Sequence, residues 1–284
     1  MSEEAICDAR ASNSCAGFSE AAFAELQAIA AQYVASDTIF MRLMARAGKL
    51  AQKGIDLVAE EYREKIGEIA EAALKAAYSG ARATHGRAEG GNWLDRTLHS
   101  ARGERVHKVG TAVAGGVEGL FGILGTLADL PVTTTLILRS IQQIAEEHGH
   151  DTKDPRVRAD CLAVFGMGGP MPEDDRVDSG LWAVRVAIAE MVTPAALAQM
   201  LSGQAFALIA RRFGVVVSQK AVAQAAPVLG AVAGAAINPV FTDYYQTMAH
   251  VHFRLRTLER DHDQDQVRAC FERVVRALRP PTDG

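Results

Sequence analysis

Two His-x-His pairs, His148/His150 and His250/His252, come nearest to metal chemistry in this 284-residue chain. Imidazole nitrogens are common metal ligands. Within a helix, however, positions i and i+2 point about 200° apart, so neither pair turns both rings toward one ion. All four are read as surface or helix-end histidines. Asp261, Asp263, Asp265 and Glu272 fall at positions 1, 3, 5 and 12 of a calcium loop, but Gln266 stands at position 6. The sharp turn there demands Gly. A helix with an acidic N-terminus, beginning at Gln264, accounts for the same residues. No HExxH, GxSxG, GxGxxG or GxxxxGK[ST] occurs, so zinc proteolysis, acyl transfer and nucleotide binding lack their motifs. No catalytic residue, metal ligand or cofactor is assigned.

A polar cluster is the remaining candidate site. Asp129 is the one charge between Gly119 and Leu138, and the 22 residues from Ala221 to Thr242 carry none. Asp129 paired with Arg139, or hydrogen-bonded to Asn238, would make a polar cluster between these two apolar blocks. The competing reading has Asp129 bonding free amide groups where a helix starts at Pro131. Asn238, before Pro239, then serves the backbone at a helix bend.

The elements that must position these residues read as helices throughout. Ser19 caps a helix with Phe23, Leu26, Ala30 and Tyr33 at helical spacing. A second pattern runs from Ser36 or Asp37 to Tyr78, before a Gly-rich loop from Ser79 to Asn92. Val132, Leu136, Ile137, Ile141 and Ile144 form one stripe, ended by Gly149. Asp154-Pro155 opens a helix to about Phe165, and residues 166–180 form a loop. Two helices follow, near 181–192 and from Thr193-Pro194 to before Gly214. The second apolar block then leads into a helix reaching Glu259. Val267, Phe271, Val274, Val275 and Leu278 give the last helix a docking face. The expected fold is an all-α, multi-helix bundle without significant sheet. Its expected organisation is a weakly ordered tail (1–18), an N-terminal helical arm (19–90), a helical domain (91–279) and a short tail (280–284).

Both apolar blocks reach the roughly 20 residues needed to cross a bilayer. Gly and Ala dominate them, and they lack aromatic belts at both ends. Small residues spaced by four, Gly115 and Gly119 in one block and Ala226, Gly230 and Gly234 in the other, let a neighbouring helix approach closely. A buried hairpin, a peripheral membrane element and transmembrane spans are the three readings.

Composition narrows the class. Aromatic residues make up 6% of the chain, which favours close-packed helices over a β-sandwich. Thirty basic and 34 acidic residues are spread along the chain without a cationic stripe, which excludes nucleic acid as the expected partner. Cys7, Cys15, Cys161 and Cys270 have no zinc spacing and are read as reduced thiols of a reducing compartment.

The run GGVEGLFGILGTLADLPVTTTLILRSIQQIAEEHGHD (115–151) resembles the Gly-rich segment, Asp-x-Pro turn and following helix of the EcsC family. Residues 211–259 resemble its C-terminal signature: a Pro-x-x-Gly-Ala-x-x-Gly core, an Asn and an aromatic shortly after. The two blocks match closely, and about residues 40–260 match loosely. The resemblance implies a bacterial helical protein linked to an ABC transporter. The expected function is non-catalytic: a cytoplasmic helical protein at the inner face of a membrane, accessory to a membrane assembly such as a transporter. One alternative is a soluble enzyme or binder of a lipid-like small molecule with its site between the blocks, near Asp129 and Asn238. Another is a homo-oligomeric scaffold.

Overall fold

Side-chain oxygens start the helices. Ser19 Oγ accepts from the Ala22 amide at 3.2 Å, Asp154 Oδ1 from Arg156 at 2.8 Å, and Asp263 Oδ1 from Asp265 and Gln266 at 3.0 and 3.1 Å. Each satisfies amide groups that have no partner in a first turn. The computed structural model describes residues 3–36, 60–84, 123–167, 179–190, 200–223 and 227–279, with Thr193 and Ala195 between. Among these residues every regular element is helical, and the expected all-α class holds. The helices are α1 (Glu3–Ala11), α2 (20–36), α3 (Glu60–Thr84), α4 (Ile123–Glu147), α5 (Pro155–Ala163), α6 (Ser179–Ala189), α7 (Gln204–Ala223), α8 (Pro227–Leu258) and α9 (Gln264–Leu278). A 3₁₀ turn, Val164–Gly166, prolongs α5.

Apolar spacing decides which faces turn inward. Phe23, Leu26, Ala30 and Tyr33 of α2 are buried, as are Val267, Phe271, Val274 and Val275 of α9. α3 packs against both α4 and α7, and α8 packs against α4. Phe165, Phe213, Phe241 and Tyr245 form an aromatic centre with ring centroids 5.0–6.4 Å apart. Gly149 ends α4 with φ +76°, and the amides of Gly149 and His150 bond back to Glu146 and Ala145. That is the left-handed closure expected of a glycine there.

Several boundaries differ from the expectation. The helix expected to start at Pro131 begins at Ile123, so Pro131 lies inside it. Thr135 Oγ1 donates to the Pro131 carbonyl at 2.7 Å. Tertiary packing on α3 and α8 offsets the cost of a proline whose ring and missing N–H disfavour a helix interior. The helix expected to stop before Gly214 runs on to Ala223. A Cβ at Gly214 would lie 3.5 Å from Gly67 Cα, so α3 and α7 approach closely at this glycine pair. α3 likewise continues past Tyr78 to Thr84.

The largest difference is at the N-terminus. Residues 3–11, expected to be a weakly ordered tail, form α1, which packs on α9. Ala9, Cys15 and Phe18 are buried. Cys15 and Cys270, expected to be reduced thiols, form a disulfide across 255 positions, with Cα atoms 4.9 Å apart. Their separation in sequence hid the pairing. The bond removes the argument for a reducing compartment, because disulfides persist where the surroundings are oxidising. Cys7 and Cys161 remain thiols, exposed and buried respectively.

Candidate functional site, a buried arginine–histidine network beside a cavity

Three helices each contribute one stripe to a polar site. On α8 and the turn after it, His252, Arg256 and Glu259 are spaced i, i+4, i+7 and share a face. Arg156 and Asp160 have the i, i+4 spacing on α5, and Arg185 and Ala189 repeat it on α6. Their side chains border a cavity of about 200 Å³, with Ile188 on one wall and Gln264, the first residue of α9, on another. Glu259 stands behind Arg185.

Arg185 is the hub and is only 3% exposed. Its Nη2 donates to Glu259 Oε1. Its Nη1 donates to His252 Nδ1 at 2.6 Å and lies 3.3 Å from the His252 carbonyl. The guanidinium also sits 4.9 Å from the centroid of Trp182, which gives it a cation–π seat. Because Nδ1 of His252 receives the Arg185 N–H, the proton of the neutral ring is on Nε2. That nitrogen faces Asp160 Oδ1 at 3.3 Å, close enough for attraction but off the line of a well-formed hydrogen bond. Asp160 Oδ2 is 3.2 Å from Arg256 Nη2, and Arg256 Nη1 is 4.0 Å from Glu259 Oε2. Each carboxylate therefore already faces a cation. Arg185 Nε remains a buried donor without a partner.

The ionisation states follow from these neighbours. Burial, reinforced by the Arg185 charge, lowers the His252 pKa to about 4, against the pull of Asp160. Burial of Asp160 acts upward, but His252, Arg256 and Arg185 outweigh it and hold the carboxyl below its ordinary range. With its acceptor nitrogen, Nδ1, taken up by Arg185 and the ring neutral at physiological pH, His252 is not placed to take a proton from a substrate.

That arrangement makes stability pH-dependent in a defined window. Below about pH 6.5 an unfolded chain protonates His252, whereas the folded protein refuses the proton until about pH 4. The unfolded state then binds more protons, so stability falls as the pH falls from 6.5 to 4, by roughly 3 kcal/mol in all. His252→Asn keeps an acceptor toward Arg185 and a donor toward Asp160 but cannot titrate. In urea unfolding between pH 7 and 4, wild type is expected to lose about 3 kcal/mol more than this variant. Parallel profiles for the two proteins would refute the assignment.

Of the residues singled out from the sequence, the structure places His252 in this network. α4 begins six residues before Asp129, so Asp129 is within a helix and not at its start. The side chains of Asp129 and Asn238 lie outside the described residues, while Arg139 is half-buried on α4. Gly115, Gly119 and Ala226 also lie outside the described residues; Gly230 and Gly234 fall within α8. Of the four histidines, His148, His150 and His250 are half-buried, but His252 is 1% exposed, which corrects its reading as a surface residue. The i, i+2 argument holds: His250 meets His148 at 2.9 Å, whereas His252 meets Arg185. Asp263 is the cap of α9, as a helix with an acidic start requires. Arg156, Asp160, Arg185, Arg256 and Glu259 were not singled out. The signal for three of the site residues was the 252/256/259 stripe of ionisable groups, recurring at helical spacing near the end of α8.

No curated protein and no solved structure matches the chain. The sequence profile of the EcsC protein family matches residues 20–258, which include α2 and run to the end of α8. Cys15, Glu259 and α9 fall outside that span. A match over this much of the sequence settles the family: the chain belongs to the EcsC protein family.

Proposed function

We propose that this EcsC-family protein is a non-catalytic helical protein that binds peripherally to a membrane surface, as an accessory to a membrane assembly. The observation that carries the proposal is the outward face of α4. Pro131 and Val132 are exposed, Thr135 and Leu136 are half-buried, and the spacing i, i+1, i+4, i+5 puts all four on one stripe. No charge interrupts it before Arg139. The opposite face, Leu130, Thr133, Thr134, Ile137 and Leu138, is buried. Val132, 55% exposed, is one of two large apolar residues so exposed among the described residues. By contrast, the solvent side of α9 carries Asp265, Arg273 and Arg276. An uncharged outer stripe at the end of a 20-residue run with one charge suits the boundary between headgroups and acyl chains. Among the described residues no helix is long and apolar enough to cross a membrane, and the proposal is of contact from one side. The hydrogen bond from Arg185 that takes up Nδ1 of His252 supports the non-catalytic part of the reading.

Flotation with phospholipid vesicles tests it. Wild type is expected to float with the vesicles, and Val132→Asp/Leu136→Asp is expected to stay at the bottom of the gradient while remaining folded. Wild type that ignores vesicles, or a double variant that floats equally well, would contradict the proposal.

A further inference from the structure

We propose that residues 3–17 are a redox-operated strap, a device independent of membrane contact by α4. Reduction of the Cys15–Cys270 bond by a dithiol releases α1 from α9 while the rest of the bundle stays folded, and reoxidation closes it again. The bond joins two segments that lie on opposite sides of the family span. Cys15 comes before residue 20 and Cys270 after residue 258, so the bond fastens one end of the chain to the other.

The two fastened elements are held very unequally by everything else. α1 has nine residues, fewer than the roughly 12–15 that sustain a helix in water unaided. Among its described side chains Ala9 is buried, whereas Ala5, Ile6 and Arg10 are half-buried and the others are exposed. Arg10 adds polar contacts: it donates to the carbonyls of Phe18 at 3.0 Å and Cys15 at 3.3 Å, and sits 4.8 Å from the centroid of Phe23. α9, by contrast, buries Val267, Phe271, Val274 and Val275. The Phe271 ring meets Tyr33 and Trp182 with centroids 5.7 and 6.0 Å apart. With the bond open, α9 keeps its own core contacts and α1 loses its main tether. Short, thinly packed chain ends are where local opening is easiest.

Burial sets the order of events. Cys15 and Cys270 are both 0% exposed, so a thiolate reaches their sulfurs only when the strap lifts. One thiolate of the dithiol then attacks a sulfur of the bond, forming a mixed disulfide and releasing the other cysteine as thiolate. The second thiol of the reductant resolves the mixed disulfide. Two electrons and two protons pass to the protein, leaving Cys15 and Cys270 as thiols and the reductant as a disulfide. Because α1 packs on α9, its release uncovers that part of α9 and frees an arm that carries the exposed thiol of Cys7.

Thiol labelling and amide hydrogen exchange of the full-length protein, before and after dithiothreitol, test the proposal. The oxidised native protein should present one maleimide-reactive thiol, Cys7, and the reduced protein three, with buried Cys161 unlabelled. On reduction, exchange in residues 3–17 should quicken by about tenfold or more while α3, α4, α7 and α8 stay protected, and oxidised glutathione should restore the slow exchange. Arg10→Ala, which loosens the strap without touching a sulfur, should be reduced about threefold faster than wild type. A bond that dithiothreitol opens only when the whole chain unfolds would overturn the proposal. So would a strap that stays protected after reduction, a bundle that loses protection throughout, or an unchanged reduction rate in Arg10→Ala.

Discussion

Arg185→Ala is expected to destabilise the protein by about 3–5 kcal/mol, the range for breaking a buried ion pair from one side. The reason is what remains. Glu259, 7% exposed at its side chain, loses its hydrogen-bonding partner, and His252 Nδ1 loses the donor that it faces at 2.6 Å. The Trp182 ring loses the cation seated on it. Removing both charges together is a different experiment. Arg185→Met/Glu259→Leu fills similar volume with apolar atoms and leaves no orphaned charge between these two positions, so most of the loss should be recovered. Urea unfolding of wild type, single and double variants checks both statements. A single variant within about 1 kcal/mol of wild type would mean that the network is not a structural hub.

Removing the Cys15–Cys270 bond should have an effect of similar size. The bridge closes 255 positions of chain, and the entropy lost by the unfolded state on closing so long a loop gives up to about 5 kcal/mol, with 2–4 kcal/mol typical. Its location adds to this. The bond ties the segment after α1 to α9, Phe18 stacks on His262 at 4.4 Å, and Arg10 donates to the Phe18 carbonyl at 3.0 Å. Cys15→Ser/Cys270→Ser is therefore expected to unfold at lower denaturant concentration and to expose α1 to proteolysis. A variant indistinguishable from wild type in both measurements would show that α1 and α9 dock without the covalent link.

How much of this was legible in the sequence depends on the range of the interaction. Ser19, Asp154 and Asp263 announce their helices because a cap bonds amides two or three residues away. Gly149 announces an end because a left-handed residue is needed there. The buried faces of α2 and α9 follow from period alone. Pro131 misled, since a local rule places proline at a helix start whereas packing on α3 and α8 carries the helix through it. Cys15 and Cys270 could not be paired from spacing. The arginine network was illegible for the same reason. Asp160, Arg185 and His252 come from three helices, and nothing within any one of them says that the other two face it. His252 was read as a surface or helix-end residue because the i, i+2 spacing argued against a shared metal ion. In the fold, burial and the Arg185 charge keep the ring neutral.

The claim on which the functional account rests is that the uncharged stripe of α4 meets lipid. A polarity-sensitive fluorophore at residue 132, attached through Val132→Cys with exposed Cys7 changed to Ser, reports this directly. On addition of vesicles the account predicts a blue-shifted emission and quenching by lipid-borne nitroxides, with no such change for a probe at exposed Arg273 on α9. A probe at 132 that stays water-exposed and unquenched while vesicles are present would contradict it.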